Sequence, residues 1–291
     1  MPAGEIILPV RHYDLAATLD SGQAFRWRRA GPAWTGVVGG RWVRLTAVPG
    51  GIHAQTTNAG ADWDWLADYL QSGVDLTAIL QSFPSDPPMQ AAVAACPGLR
   101  LLRQDPWECL ASFMLSSTKQ IVQIRQIITL LCERHGPVID TPPGVPAAHA
   151  FPAPDRLAAL SEAQLRDCKM GFRAPNVLAA ARRIHAGEFD LERVRTLSRE
   201  DARAELMRLA GVGRKIADCV LLFAYGFNAA FPVDVWIKKA LQELYFPRRR
   251  ASEKQLHRFA ATHFGPHGGY AQQYLFHYMR TRKRPDQTTK R

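Results

Sequence analysis

Residues Leu206 to Asp234 read LMRLAGVGRKIADCVLLFAYGFNAAFPVD, and the rest of the chain is best understood outward from there. Leu206 and Leu209 stand three apart on the apolar side of a short helix. Gly211-Val212-Gly213 then interrupts it with two residues that tolerate positive φ. The pattern predicts a second helix from Arg214 to about Tyr225. Its free N-terminal N–H groups and partial positive charge face whatever lies beyond the glycines, so an anion such as a nucleic-acid phosphate fits there. Lys215 and Cys219 fall four apart on one face of this helix, and Ile216, Val220 and Phe223 continue an apolar face. Asn228 closes the turn, and Pro232-Val233-Asp234 opens the next helix with a carboxylate at its start.

Taken alone, GxGxK is an ordinary packing unit of two helices with Lys215 as a solvated first-turn lysine. It is not a phosphate-binding P-loop, which needs GxxxxGK followed by Ser or Thr. In combination, Leu-x-x-Leu-x-Gly-Val-Gly-x-Lys, Ala217-Asp218-Cys219 and Pro232-Val233-Asp234 resemble the helix-hairpin-helix DNA glycosylases, and among them the 8-oxoguanine DNA glycosylase and AP lyase family. The resemblance implies that Lys215 attacks C1′ of the damaged nucleotide, that Asp234 assists, and that Gly211 and Gly213 grip DNA phosphate. Residue chemistry agrees with those roles. A lysine is a nucleophile only when deprotonated, and a partly desolvated site at a helix N-terminus disfavours its charge. Cleaving an N-glycosidic bond builds oxocarbenium character that a fixed carboxylate stabilises. A Schiff base at Lys215 then permits β-elimination of the 3′ phosphate.

The resemblance extends over most of the chain. Ser21-Gly22-Gln23-Ala24-Phe25-Arg26-Trp27 is similar to a family segment whose glycine carbonyl accepts the N7–H that 8-oxoguanine has and guanine lacks; read alone it is a turn before a strand. Gly269 to Phe276 is similar to the pocket helix, which implies that Gln272 reads the Watson–Crick edge of the flipped base and Phe276, one turn on, stacks against it. Cys219 joins Gly22, Gln272 and Phe276 in the implied base clamp. Asp105-Pro106-Trp107-Glu108-Cys109-Leu110 and Ser116-Ser117 resemble the first long helix and its DNA-facing end. Gly171-Phe172-Arg173 resembles the wedge loop, with Phe172 filling the gap left by the extruded base and Arg173 reaching the orphaned partner. Family members commonly carry asparagines after Ser-Ser and an arginine soon after. Here the DNA-contacting places hold Thr118, Lys119, Gln120 and Gln123, so selectivity for the opposite base is expected to be relaxed. Ala210 replaces a usual proline, and Val235-Trp236 replaces Val-His.

Composition is consistent with these implications without producing them. With 291 residues, 47% of them hydrophobic, the chain can bury a substantial core in two or three lobes. A net charge of +11 suits a polyanion, although it equally suits a membrane surface. No apolar run approaches the roughly 20 residues of a membrane span. The N-terminal MPAGEIILPV lacks the build of a signal peptide, so a cytoplasmic protein is expected, nucleoid-associated in a bacterium. Cys96, Cys109, Cys132, Cys168 and Cys219 are odd in number and widely spaced, which argues against a disulfide framework, a zinc site and an iron–sulfur cluster. No cofactor or metal is expected.

Five β-like runs, Glu5–Val10, Gln23–Arg28, Ala33–Val38, Arg41–Ala47 and Gly51–Thr56, are separated by turn signals and predict an antiparallel sheet. Helical patterning dominates from Asp62 and is nearly exclusive after Trp107, with Pro-rich loops at 141–154. The expectation is an α+β fold: a β-rich N-terminal lobe over 1–104, an all-helical helix-hairpin-helix domain over 105–281, and a basic, disordered tail over 282–291. The protein is expected to act as a monomer on double-stranded DNA containing a damaged purine, with its site in the cleft between lobes. A monofunctional glycosylase for alkylated purines, which generally lacks the lysine, and a non-catalytic hairpin module remain as alternatives.

Overall fold

The computed structural model describes residues 4–57, 62–116 and 120–282. Strands β1 (Gly4–Pro9), β2 (Arg28–Ala30), β3 (Ala33–Val38), β4 (Arg41–Val48) and β5 (Gly51–Thr56) form one antiparallel sheet in the order β1-β5-β4-β3-β2. Its hairpin turns fall at Gly31-Pro32, Gly39-Gly40 and Pro49-Gly50, where the turn residues predicted them. Period-2 alternation puts Trp34, Val43, Leu45, Ile52 and Ala54 into a core shared with α1 (Leu15–Asp20) and α2 (Asp64–Leu70). Full burial of each large apolar side chain stabilises the fold by about 1.5–3 kcal/mol.

Two short helices, α3 (Leu76–Gln81) and α4 (Pro87–Ala95), lead to α5 (Pro106–Leu115), the central helix. Pro106 at its first turn and Asp105 at its N-cap, accepting from Glu108 N at 2.8 Å, fix where α5 starts. Every α5 residue except Glu108 is buried, so this helix lies inside the main core. Around it run α6 (Ile121–His135), α7 (Pro154–Ala158), α8 (Glu162–Asp167), α9 (Ala174–His185) and α10 (Arg199–Leu206), followed by α11 (Arg214–Val220), α12 (Val235–Tyr245), α13 (Glu253–His263) and α14 (Gly268–Thr281).

Four details differ from the sequence expectations. The run Gln23–Arg28 is not a strand until Arg28. Its alternation arises because Ala24 and Trp27 enter the sheet core while Phe25 enters the helical core. Residues 138–139 and 148–149 pair as a two-stranded ribbon, β6 and β7, inside the otherwise helical half. The helix predicted over 214–225 is α11 followed by a π-helical turn, Leu221–Tyr225. Arg282, expected in the tail, caps α14 and pairs with Glu243; the rest of that expected tail lies outside the described residues.

Candidate active site

The hairpin leads into α11, the helix that carries the candidate nucleophile. Gly211 has φ +79°, a left-handed conformation that favours glycine, and a Cβ there would displace the Asn176 side-chain amide. Gly213 is the N-cap of α11. Under the hairpin, Asp218 is buried and accepts from Arg203 of α10 at 2.6 Å, locking α10 to α11 through a buried ion pair.

A cavity of about 420 Å3 lies where the N-terminal segment meets the helices, lined by side chains of both. Its aromatic floor is Phe25, Phe113 and Phe223; Phe113 and Phe223 stack with centroids 5.5 Å apart, and Phe25 meets Phe113 edge-on. Lys215 is half-buried in the wall with Nζ 5.3 Å from the centroid of Phe113. Nζ donates to Ser116 Oγ at 2.9 Å, and that hydroxyl donates onward to Phe113 O at 2.6 Å. The serine proton is thus committed to a carbonyl, and its lone pair faces the lysine, which fixes the direction of Nζ.

Asp234 shares the cavity and is the N-cap of α12, accepting from Ile237 N at 2.8 Å. Burial pushes its carboxyl above the usual carboxylate range, against the pull of the Ile237 and Trp236 N–H groups and of Lys215. Cys219, one turn after Lys215, is buried in the same wall. Burial pushes its thiol up to about 12 although Lys215 pulls it down, so it faces the cavity as a neutral, weakly polar surface.

The opposite wall comes from Gly22 and α14. Gly22 has φ +79°, and a Cβ would fall 2.8 Å from Ile121 Cδ1 and 3.4 Å from the Phe276 ring. Gln272 is buried in the cavity lining, and its Oε1 has no hydrogen-bond partner among the described residues. Phe276, one turn later, also lines the cavity. An unsatisfied buried amide costs about 1–3 kcal/mol, so a ligand that supplies the missing partner recovers that cost.

The structure therefore brings Gly22, Lys215, Cys219, Asp234, Gln272 and Phe276 to one cavity, and Gln120 reaches its rim. Gln120 precedes α6, where its N–H donates to Gln123 Oε1 at 3.1 Å, so the carbonyl end of the Gln123 amide takes part in capping. Thr118 and Lys119 lie outside the described residues. Phe172 and Arg173 stand apart from the cavity lining in a 3-10 turn. Phe172 is 64% exposed, as a wedge requires, whereas Arg173 is 3% exposed, with its guanidinium 4.2 Å from the centroid of the Phe172 ring. An arginine reaching for an orphaned base must first leave that position.

Sequence reasoning gave no role to Phe25, Phe113 or Arg280, all in the lining. The spacing 272, 276, 280 along one helical face was the available signal for Arg280. Among the described residues, no three His, Cys, Asp or Glu side chains converge as a metal site does, the five cysteines are buried free thiols, and no helix is long and apolar enough to cross a membrane.

Comparison with known proteins supplies the lineage of this cavity. Residues 5–110 match the model of the 8-oxoguanine DNA glycosylase N-terminal domain, and residues 111–265 match the HhH-GPD superfamily of base excision DNA repair proteins. The chain is 30% identical to the N-glycosylase/DNA lyase OGG1 of Arabidopsis thaliana, over 90% of this chain and 76% of the relative. Among solved structures, MBOgg1 with a low-affinity DNA ligand superposes with a TM-score of 0.90 at 34% identity, over 95% of each chain. The Clostridium acetobutylicum 8-oxoguanine glycosylase/lyase, solved with double-stranded DNA containing cytosine opposite 8-oxoG, gives 0.88 at 32%, over 92% of each. Two family models that between them cover residues 5–265, with relatives matched nearly end to end, leave one conclusion: the chain belongs to the HhH-GPD superfamily of base-excision DNA repair proteins, in its 8-oxoguanine DNA glycosylase family.

Proposed function

We propose that the protein is a bifunctional glycosylase that flips 8-oxoguanine out of duplex DNA, excises it through Lys215, and cleaves the strand by β-elimination. The observation that carries this reading is a lysine directed by Ser116 into a cavity that also holds a carboxylate and, opposite, a buried amide with an open acceptor. The chemistry follows from those groups. Asp234 stabilises positive charge as the glycosidic bond lengthens, and the base departs with the bonding electron pair. The neutral Lys215 Nζ forms the new bond to C1′ and gives one proton to the departing base; the C1′–O4′ bond then opens, O4′ takes the second proton, and a Schiff base remains. Loss of a C2′ proton then expels the 3′ phosphate. Gln272 and Phe276 clamp the extruded base, Gly22 faces its imidazole edge, and Cys219 packs beside it.

Gly211, Gly213 and the residues from Thr118 to Gln120 contact the duplex in this reading, with Phe172 and Arg173 at the gap left by extrusion. In this reading the protein acts as a monomer on double-stranded DNA in the cytoplasm, nucleoid-associated if its source is bacterial. No resident cofactor is needed, because nucleophile and carboxylate are side chains. A monofunctional alkylpurine enzyme gives no task to Lys215, and a non-catalytic module leaves Asp234 only its capping of α12 and no reason to share a cavity with the lysine.

The test is borohydride trapping on a duplex with 8-oxoguanine opposite cytosine. The wild-type protein forms a covalent adduct, whereas Lys215→Gln forms none and still binds the lesion, because the hairpin amides remain. An adduct with Lys215→Gln shows that another group is the nucleophile.

A further inference from the structure

Beside the Gly22–Phe276 wall, with Arg280 itself in the cavity lining, stands a charged cluster with no part in the mechanism above. Arg280 follows Phe276 by one turn of α14, and its guanidinium lies 5.4 Å from the centroid of that ring. Its Nη1 donates to Asp20 O at 3.4 Å and lies 3.5 Å from the point where a Gly22 Cβ would stand. Earlier on the same helix, Gln273 Nε2 donates to Ser21 O at 2.9 Å. Two side chains of α14 thus hold the consecutive carbonyls of Asp20 and Ser21, immediately before Gly22. From the third side, Arg125 of α6 donates to the Asp20 carboxylate at 2.6 Å, one turn after Ile121, which backs Gly22.

We propose that Arg280 is a positioning residue that sets the width of the slot between Gly22 and Phe276, and through that width the selection of the oxidised base. The inference rests on the glycosylase reading. A slot for one planar purine must hold its two faces to within about 0.5 Å. Cation–π contact holds the Phe276 ring, and the hydrogen bond to Asp20 O holds the chain that leads to Gly22. A single guanidinium touches both walls, so one side chain couples their spacing. Asp20 is largely exposed, and exposed ion pairs add little to global stability. The effect of the cluster therefore falls on local geometry and not on folding.

The experiment compares Arg280→Met and Arg280→Lys with the wild-type full-length chain. It measures single-turnover excision of 8-oxoguanine over a range of enzyme concentrations, strand scission at a preformed abasic site, and thermal melting. Arg280→Met is expected to slow 8-oxoguanine excision by about ten- to a hundredfold, the cost of a slightly misplaced reactant. Scission at the abasic site, which presents no base to the slot, falls far less. Arg280→Lys keeps the charge and loses the planar fork, so it recovers part of the excision. Unchanged excision by Arg280→Met overturns the proposal, as does a loss of both activities in equal proportion. If the wild-type chain neither excises 8-oxoguanine nor cleaves at an abasic site, the glycosylase reading itself falls, and that outcome is distinct from either result.

Discussion

Replacing Asp234 by asparagine separates two jobs that one carboxylate performs. Its Oδ1 caps α12 by accepting from Ile237 N at 2.8 Å, and its charge shares the cavity with Lys215. Asparagine caps about as well as aspartate, so stability changes by only a few tenths of a kcal/mol. Alanine loses the cap, at a cost of about 1 kcal/mol, which lowers the melting temperature of a chain this size by roughly 2–4 °C. Both variants lack the charge that opposes oxocarbenium character, a loss of about 2.7–4 kcal/mol if it resembles the removal of one preorganised electrostatic group. Single-turnover excision should therefore fall about 10²–10³-fold in both, while only Asp234→Ala melts early. The pH dependence carries a second signature. Burial raises the folded-state pKa of Asp234, so ionising it costs stability, and that cost is relieved as pH falls through the raised value. Activity runs the other way. The ionised form is the active one, so wild-type excision declines on acidification at a pH above that of an ordinary aspartate, and Asp234→Asn lacks this step. Excision by Asp234→Asn near the wild-type rate, with an unchanged melting curve, would falsify the electrostatic role.

Gln272→Ala and Phe276→Ala should each weaken binding to a lesion duplex by about 1–3 kcal/mol and binding to undamaged duplex much less, because stacking and edge contacts exist only for the extruded base. Equal losses on both duplexes in a titration would contradict the clamp. With Thr118 and Gln123 where relatives carry asparagine and arginine, and Arg173 buried against Phe172, preference for cytosine opposite the lesion should be weaker than in a relative with the full asparagine and arginine set. The shortfall is about ten- to a hundredfold for each lost base contact. Excision rates opposite all four bases, measured beside such a relative, decide this, and an equally steep preference defeats it. Asp218→Ala leaves Arg203 with Glu200 as its remaining carboxylate partner and should cost about 1–3 kcal/mol, read as a drop in denaturation midpoint. A midpoint close to wild type would mean that the pair is not what joins α10 to α11.

The elements legible in the sequence were those whose pattern is local. Gly211 and Gly213, the Asp234 cap and the turn pairs of the sheet each announce themselves within a few residues, and the structure puts them where they were expected. Gln23–Arg28 misled because alternation between two cores looks the same as alternation across a sheet. The β6–β7 ribbon has two residues per strand, too few for any periodicity to show. Phe25 and Phe113 looked like ordinary core residues, since nothing in a sequence tells an aromatic that fills a core from one that floors a cavity. The burial of Arg173 depends on the path of the neighbouring turn, which composition does not encode. The resemblance gave the site its residues, but the Ser116 contact of Lys215 and the Arg280 cluster emerge only once α5, α6, α11 and α14 are assembled.

Gln23, buried beside Gly22, ties the two cores by polarity. Its Nε2 donates to Arg100 O and Thr18 O, its Oε1 accepts from Leu102 N, and its own carbonyl accepts from Gln104 Nε2. Apolar surfaces in contact can slide past one another at little cost, because dispersion has no direction. An amide has a donor end and an acceptor end, and a one-residue slip along the segment 100–104 would set N–H against N–H or O against O. The seam between sheet and helices therefore behaves like a keyed joint with one admissible register. Variation in the cavity lining can retune which base is accepted while that key holds the lobes in alignment. An isosteric Gln23→Glu change, which sets a carboxylate oxygen against the carbonyls of Thr18 and Arg100, would disturb the whole site without altering any residue in its lining.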